Sequence, residues 1–170
     1  MERANTVLIV ARLDADWSAL VDLLSERRGY FVLPAADEGD ALQPARGVPI
    51  DLVIAEDGNK AFDGSMLLAG LRLSHPDVMR VLVLAKGSKL PARALREAAV
   101  YQYLRKPLDP EQAALLVARG LETRELARRH RLISREFKMT DDGSGFSVPT
   151  DLRFLQQSQR FEKLVYISEK

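Results

Sequence analysis

A chain of 170 residues and 19.0 kDa has room for one well-buried domain and an appendage too short to form a second core. Hydrophobic residues at 46% and charged residues at 29% exclude the disordered and fibrous classes. A net charge of +1 and the lack of any cysteine exclude a global pull toward nucleic acid or membrane, a disulfide framework and thiolate chemistry.

An apolar run begins within a few residues of Met1, and no stretch is long enough to span a bilayer, so the expected location is cytoplasmic. Short β-branched runs then alternate with helical stretches, which predicts parallel strands in a central sheet with helices on both faces. The predicted strands are Thr6–Val10, Tyr30–Leu33, Asp51–Ala55, Arg80–Leu84 and Tyr101–Leu104. VLIV and VLVL are apolar at every position, as strands buried on both faces require. Trp17, Leu20, Val21, Leu23 and Leu24 recur at helical spacing before Gly29, a stop signal. Ala41 and Leu42 lie in a weaker second helix that Pro44 is expected to interrupt. Met66, Leu67, Gly70 and Leu71 mark a third helix ending before Pro76. Pro91 opens a fourth, reaching Ala98 or Ala99. Asp109, Pro110 and Glu111 supply the N-cap, first-turn proline and first-turn acid of a fifth.

Three segments carry a family resemblance. DLVIAEDGNKAFDG (51–64), HPDVMRVLVL before and through the fourth strand, and YQYLRKPLDPEQ around the fifth resemble response-regulator receiver domains over about residues 5–120. The resemblance implies a flavodoxin-like (βα)5 fold, a doubly wound five-stranded parallel sheet with an extended C-terminal helical linker. The expected organisation is a receiver-like domain at 1–120, a helical linker at 121–139, and at 140–170 a flexible joint and amphipathic segment leading to a further domain.

The same resemblance identifies the site. The family's acidic pair, which binds Mg²⁺, is matched by Ala11 and Arg12, so no metal and no other cofactor is expected. The phosphoacceptor position holds Glu56, whose extra methylene displaces the carboxylate from the in-line geometry of phosphoryl transfer. The reporting hydroxyl after the fourth strand is replaced by Ala85, which neither donates nor accepts. Tyr103 stands where the family has its rotating aromatic, and Lys106 is the lysine of Lys-Pro. No catalytic residue is assigned. Arg12, Glu56 and Lys106 are expected to form a fixed ion cluster with Arg12 in place of the metal; the alternative has Arg12 in solvent and Glu56 paired with Lys106 alone. Asp14 and Asp16 read as helix caps or surface residues, with replacement of the metal pair as the alternative, and Asp57 as a cryptic acceptor or a side chain turned away from Glu56. Trp17 reads as a core residue, and His75 and His130 as isolated surface residues.

Past Ala118 the fifth helix turns charged, through Arg119, Arg124, Arg128, Arg129, Arg131 and Arg135 with interleaved glutamates. Leu121, Leu126, Leu132, Ile133 and Phe137 fit no sustained heptad. A solvated linker is favoured over a nucleic-acid contact, and no membrane contact is expected. TDDGSGFSVPT (140–150) reads as a joint. LRFLQQSQRFEKLVYISEK resembles the lead-in to the AAA+ ATPase module of sigma-54-dependent, NtrC-type activators, and FEKLVYISEK resembles segments of hydrogenase-gene regulators. The resemblance implies a pseudo-receiver that acts without phosphorylation as a regulatory and homodimerisation module, pairing through its fourth and fifth helices and linker. The alternative is a working phosphoacceptor served by a histidine kinase.

Overall fold

The computed structural model describes residues 3–58 and 63–141. Five strands, β1 (Thr6–Val10), β2 (Phe31–Ala35), β3 (Leu52–Glu56), β4 (Met79–Leu84) and β5 (Gln102–Arg105), pair in parallel in the order β2-β1-β3-β4-β5. The three inner strands bury side chains on both faces, and alternation along each strand sorts them into two layers. Leu8, Val10, Val53, Ala55, Leu82 and Leu84 meet Ala41, Leu67, Leu68, Leu71 and Ala94 on one side. Val7, Ile9, Leu52, Ile54, Val81 and Val83 meet Trp17, Leu20, Ala113, Ala114, Val117 and Leu121 on the other. The first group of helical residues comes from α2 (Glu38–Gly47), α3 (Gly64–Ser74) and α4 (Ala92–Arg96), and the second from α1 (Ala15–Asp22) and α5 (Pro110–Asp141). The expected doubly wound flavodoxin-like architecture is therefore present.

Several boundaries differ from expectation, each for a local reason. The second helix is not interrupted at Pro44 but runs through to Gly47; a proline there removes one ladder hydrogen bond, toward the carbonyl of Asp40, and leaves the remaining turns intact. After Asp22 the first helix widens to a π-helical stretch over Leu23–Arg27 before Gly29 ends it at φ 68°. Met66 is 62% exposed, so the buried stripe of α3 is Ser65, Leu67, Leu68 and Leu71 instead.

The fourth helix stops at Arg96, short of the expected Ala98 or Ala99. Its trailing carbonyls are taken by two arginines. Arg72 donates to the carbonyls of Arg96 and Glu97 (3.0 Å each), while Arg80 donates to those of Ala98 (2.7 Å) and Ala99 (3.5 Å). Burial, with Arg72 nearby, lowers the Arg80 pKa below its ordinary value. Ala99 sits at φ 44°, a left-handed conformation that takes the chain out of helical geometry.

The fifth helix begins as expected, with Asp109 Oδ1 accepting from the amides of Glu111 and Gln112. Its burial continues past Gly120: Leu121 is buried and Arg124 pairs with Asp51. The compact unit accordingly runs from Met1 to Arg129, and residues from His130 form a second unit. Of that second unit, the helix is described to Asp141. Most of the expected joint at 140–150 and the whole amphipathic segment to Lys170 lie outside the described residues.

Two glycines of α3 make opposite demands. A Cβ on Gly64 would lie 2.5 Å from the carbonyl oxygen of Glu56, whereas one on Gly70 would meet nothing within 4 Å. The first must stay bare for the helix to start against the end of β3; the second merely weakens a helix interior. Gly64→Ala is expected to destabilise the fold by about 1–3 kcal/mol, and Gly70→Ala to stabilise it by up to about 1 kcal/mol. Urea melts of the two variants check both signs.

Candidate functional site

The strand order reverses between β1 and β3, and open parallel sheets carry their sites beyond the carboxyl ends of the strands at such a point. Glu56 ends β3 there. Val10 of β1, which pairs with Ala55 of β3, is followed by Ala11 and Arg12, and β5 is followed by Lys106. The fold thus brings Ala11, Arg12, Glu56 and Lys106 to one place.

Glu56 is only 8% exposed, and its carboxylate is satisfied from two directions. The Lys106 ammonium pairs with Oε1. The backbone N–H of Arg12 donates to Oε2 at 3.2 Å. The expected ion cluster must be corrected on this point: Arg12 reaches Glu56 through its main chain, and its side chain is exposed. Among the described residues its guanidinium forms no ion pair with Glu56. The physical reason is reach. The chain just past the end of β1 offers its amide to the neighbouring strand end at hydrogen-bond distance, while a long side chain gives up rotamer freedom to fold back over its own backbone. Lys106 is then the cation at Glu56, and it also lies 3.7 Å from Asp14 Oδ2.

Asp14 has a second task, capping α1 by accepting from the amides of Asp16 and Trp17 at 3.1 Å each. Ala11 is fully buried and offers no donor or acceptor atom in its side chain. A divalent ion needs several oxygen ligands and a negative surrounding. Here the nearest carboxylates already face an ammonium, and among the described residues no group of three or more His, Asp or Glu side chains could hold a metal. The residues present do not fit Mg²⁺.

Asp57 turns elsewhere. Its amide donates to the Val83 carbonyl at 2.7 Å. Burial, followed by the charge of Asp63, raises its pKa above the usual carboxylate value. Asp63 is shifted the opposite way, chiefly by the Ser65 hydroxyl, with help from the Met66 amide and from Arg93. The Arg93–Asp63 ion pair, at 3.3 Å, also ties α4 to the start of α3.

The two remaining positions lie along β4 and β5. Ala85 follows β4, its carbonyl accepting from the Ser88 amide in a turn that Gly87 permits at φ 79°. Tyr103 is 40% exposed on the edge strand, with the Arg105 guanidinium 5.7 Å from its ring centre. Arg105 also donates to the Ser88 carbonyl, so β5 holds the turn after β4. Neither Ala85 nor Tyr103 touches Glu56 through any described hydrogen bond or ion pair.

Trp17 is buried as expected, although its Nε1 has no hydrogen-bond partner. Sequence reasoning missed three features. These are the opposed shifts of Asp57 and Asp63, the arginine caps of α4, and Asp51, which is 1% exposed and bound by Arg3 and Arg124. Only Asp51 left a signal: an acid directly before a wholly apolar strand is badly placed unless cations meet it.

No protein-family model matches the chain. Among curated proteins it is 34% identical over 122 residues to the sensor kinase CckA of Brucella abortus, covering 71% of this chain and 13% of that protein. It is 31% identical over 140 residues to the alginate biosynthesis transcriptional regulatory protein AlgB of Pseudomonas aeruginosa, covering 79% and 30%. The chain therefore spans less than a third of these relatives. Among solved structures, the signal receiver domain of an HD-domain-containing protein from Pseudomonas fluorescens superposes with a TM-score of 0.66 at 31% identity, over 72% of this chain and 98% of that one. That near-complete match, together with the 2-1-3-4-5 strand order, places the chain in the family of response-regulator receiver domains, of the kind carried by two-component transcriptional regulators such as AlgB.

Proposed function

We propose that this receiver works without phosphorylation, as the regulatory and dimerisation module of a two-component-type transcription activator. The observation that carries the reading is the buried Glu56 carboxylate, neutralised by Lys106 and the Arg12 amide. A charge compensated in place leaves an incoming phosphoryl group neither a metal to shield its oxygens nor a free acceptor. Ala11 and Arg12 are the degenerate metal-pair positions in this reading, Glu56 stands at the phosphoacceptor position, and Ala85 and Tyr103 are the switch positions. The module binds partners and catalyses nothing.

AlgB is a transcriptional regulatory protein more than three times as long as the matched segment, which supports an attached output domain, an AAA+ ATPase on the resemblance of the tail. The hydrogenase-gene reading rests on FEKLVYISEK alone, outside the described residues. Pairing is assigned to α4, α5 and the linker, where Leu95 and Leu115 are 60% and 45% exposed. The fragment itself is assigned no direct nucleic-acid role.

The second reading, a phosphoacceptor served by a histidine kinase, turns on Asp57. Burial and the neighbouring charge of Asp63, which together raise its pKa, disfavour the further negative charge that an acyl phosphate would add there.

Incubating the full chain with a small phosphodonor and Mg²⁺ is expected to leave its intact mass unchanged, and Glu56→Asp, by itself, is expected to remain unlabelled. Gain of one phosphoryl group by the wild-type chain would replace this reading with the second. Because the Asp57 pKa is raised in the folded state, folding strengthens proton binding, and stability from this group is lost as pH rises through that pKa. Asp57→Asn keeps the size of the side chain and removes the charge that burial and Asp63 penalise. Melts are expected to show it more stable than wild type at neutral pH, with the gain vanishing below the ordinary aspartate value of 3.8. Finally, Leu95→Glu with Leu115→Glu is expected to lower the sedimentation coefficient toward the monomer; an unchanged value would remove α4 and α5 from the pairing surface.

A further inference from the structure

At the end of the sheet opposite Glu56, a second carboxylate is withdrawn from water. Asp51, at 1% exposure, lies directly before β3. Four donors converge on it. Arg3 grips it with both terminal nitrogens at 2.8 and 2.7 Å, the Thr6 amide donates at 2.8 Å, and Arg124 of α5 pairs at 2.9 Å. Arg124 also donates its Nε to the Asp77 carbonyl at 2.8 Å, in the turn leading to β4. One guanidinium therefore fastens α5 to the leading edges of both β3 and β4. The planar fork is what permits two differently placed acceptors at once, and a lysine has no equivalent.

The position of Arg124 along the helix gives the contact its meaning. Leu121 is the last residue of α5 in the apolar core. Beyond it, Glu122, Thr123 and Leu126 are exposed, so apolar packing no longer fixes the turns that follow. Arg124 is half-sheltered among exposed neighbours, with its side chain 20% exposed. Because Asp51 is almost wholly buried, this pair is far less screened than a surface ion pair.

We propose that Asp51 is the positioning residue for the output helix: through Arg124 it locks the turns of α5 beyond the core to the amino-terminal edge of the sheet. Whatever displaces β3 or β4 is then carried into α5 at residue 124 rather than dissipated at a hinge after 121. The inference rests on the reading of α5 as the path to an output domain, but the position of the helix can be measured whether or not that reading holds.

The chain has no native cysteine, so Leu73→Cys on α3 and Leu126→Cys on α5, at side chains 87% and 67% exposed, accept spin labels cleanly. Electron–electron distance measurements on the labelled full chain, diluted with unlabelled protein to suppress signals between protomers, give the width of the α3–α5 distribution. Arg124→Lys keeps the charge and loses the fork; the distribution is expected to become roughly two-fold broader while cooperative unfolding is retained. Asp51→Asn is expected to do the same. Arg3→Ala removes the other guanidinium from the same carboxylate without touching α5, and is expected to lower the melting temperature and leave the width as in wild type. An unchanged width in Arg124→Lys overturns the proposal. So does equal broadening by Arg3→Ala, which would make the cluster a general stabiliser rather than a positioning device. Asp51→Asn loses its weight if it fails to fold, and the other two variants then decide alone.

Discussion

A carboxylate withdrawn from water must be neutralised where it stands, and this requirement governs the carboxyl end of the sheet. Glu56 is placed there by the strand that ends with it and is 8% exposed. The Lys106 ammonium and the Arg12 amide are the groups the fold delivers to it. Removing Lys106 would leave the Glu56 charge without its cation, and removing the amide would leave one of its oxygens without a donor, at about 1–3 kcal/mol. The placement of the chain after β1 and after β5 is thereby coupled to one side chain on β3, and Asp14 joins the same group through Lys106.

The strand carrying Glu56 also follows Asp51, so charged anchors flank β3 at both ends while everything between them is apolar and buried. Such an arrangement makes the middle of the sheet a stiff element between two electrostatic fixings. At each end one main-chain amide and side-chain cations meet the carboxylate: the Arg12 amide and Lys106 at Glu56, and the Thr6 amide with Arg3 and Arg124 at Asp51.

The sheet was legible in the sequence because β-branched and wholly apolar runs alternating with helical stretches leave few alternatives. VLIV occupies β1 as expected, and the order of elements required parallel pairing. Helix ends were less legible where distant residues settle them: α4 stops at Arg96 because Arg72 and Arg80, far along the chain, take its carbonyls. Pro44 misled for the opposite reason, since a rule about single residues ignores the neighbouring turns that hold a helix together. At the site, the sequence named the positions that meet but not the atoms through which they do so. Arg12 was expected to act through its charge, yet it is its amide, a group every non-proline residue has, that reaches Glu56. Asp57 was separated from Glu56 by strand alternation alone, whereas its coupling to Asp63 joins the residue after β3 to the N-cap of α3, a contact no periodicity describes.

Guanidinium groups fasten the surface elements throughout. Arg72 and Arg80 hold the end of α4, Arg93 ties its first turn to Asp63, and Arg105 grips the turn after β4 while lying against Tyr103. Each such contact satisfies a carbonyl or carboxylate that would otherwise need water, and each spans two elements that a conformational switch would have to separate. Moving α4 alone means breaking several of these bonds together, because they share the same short helix. A domain fastened in this way responds more readily as a rigid body, through what its faces and its final helix touch, than by rearranging within. That is the behaviour a regulatory module requires if its pocket holds a completed charge pair.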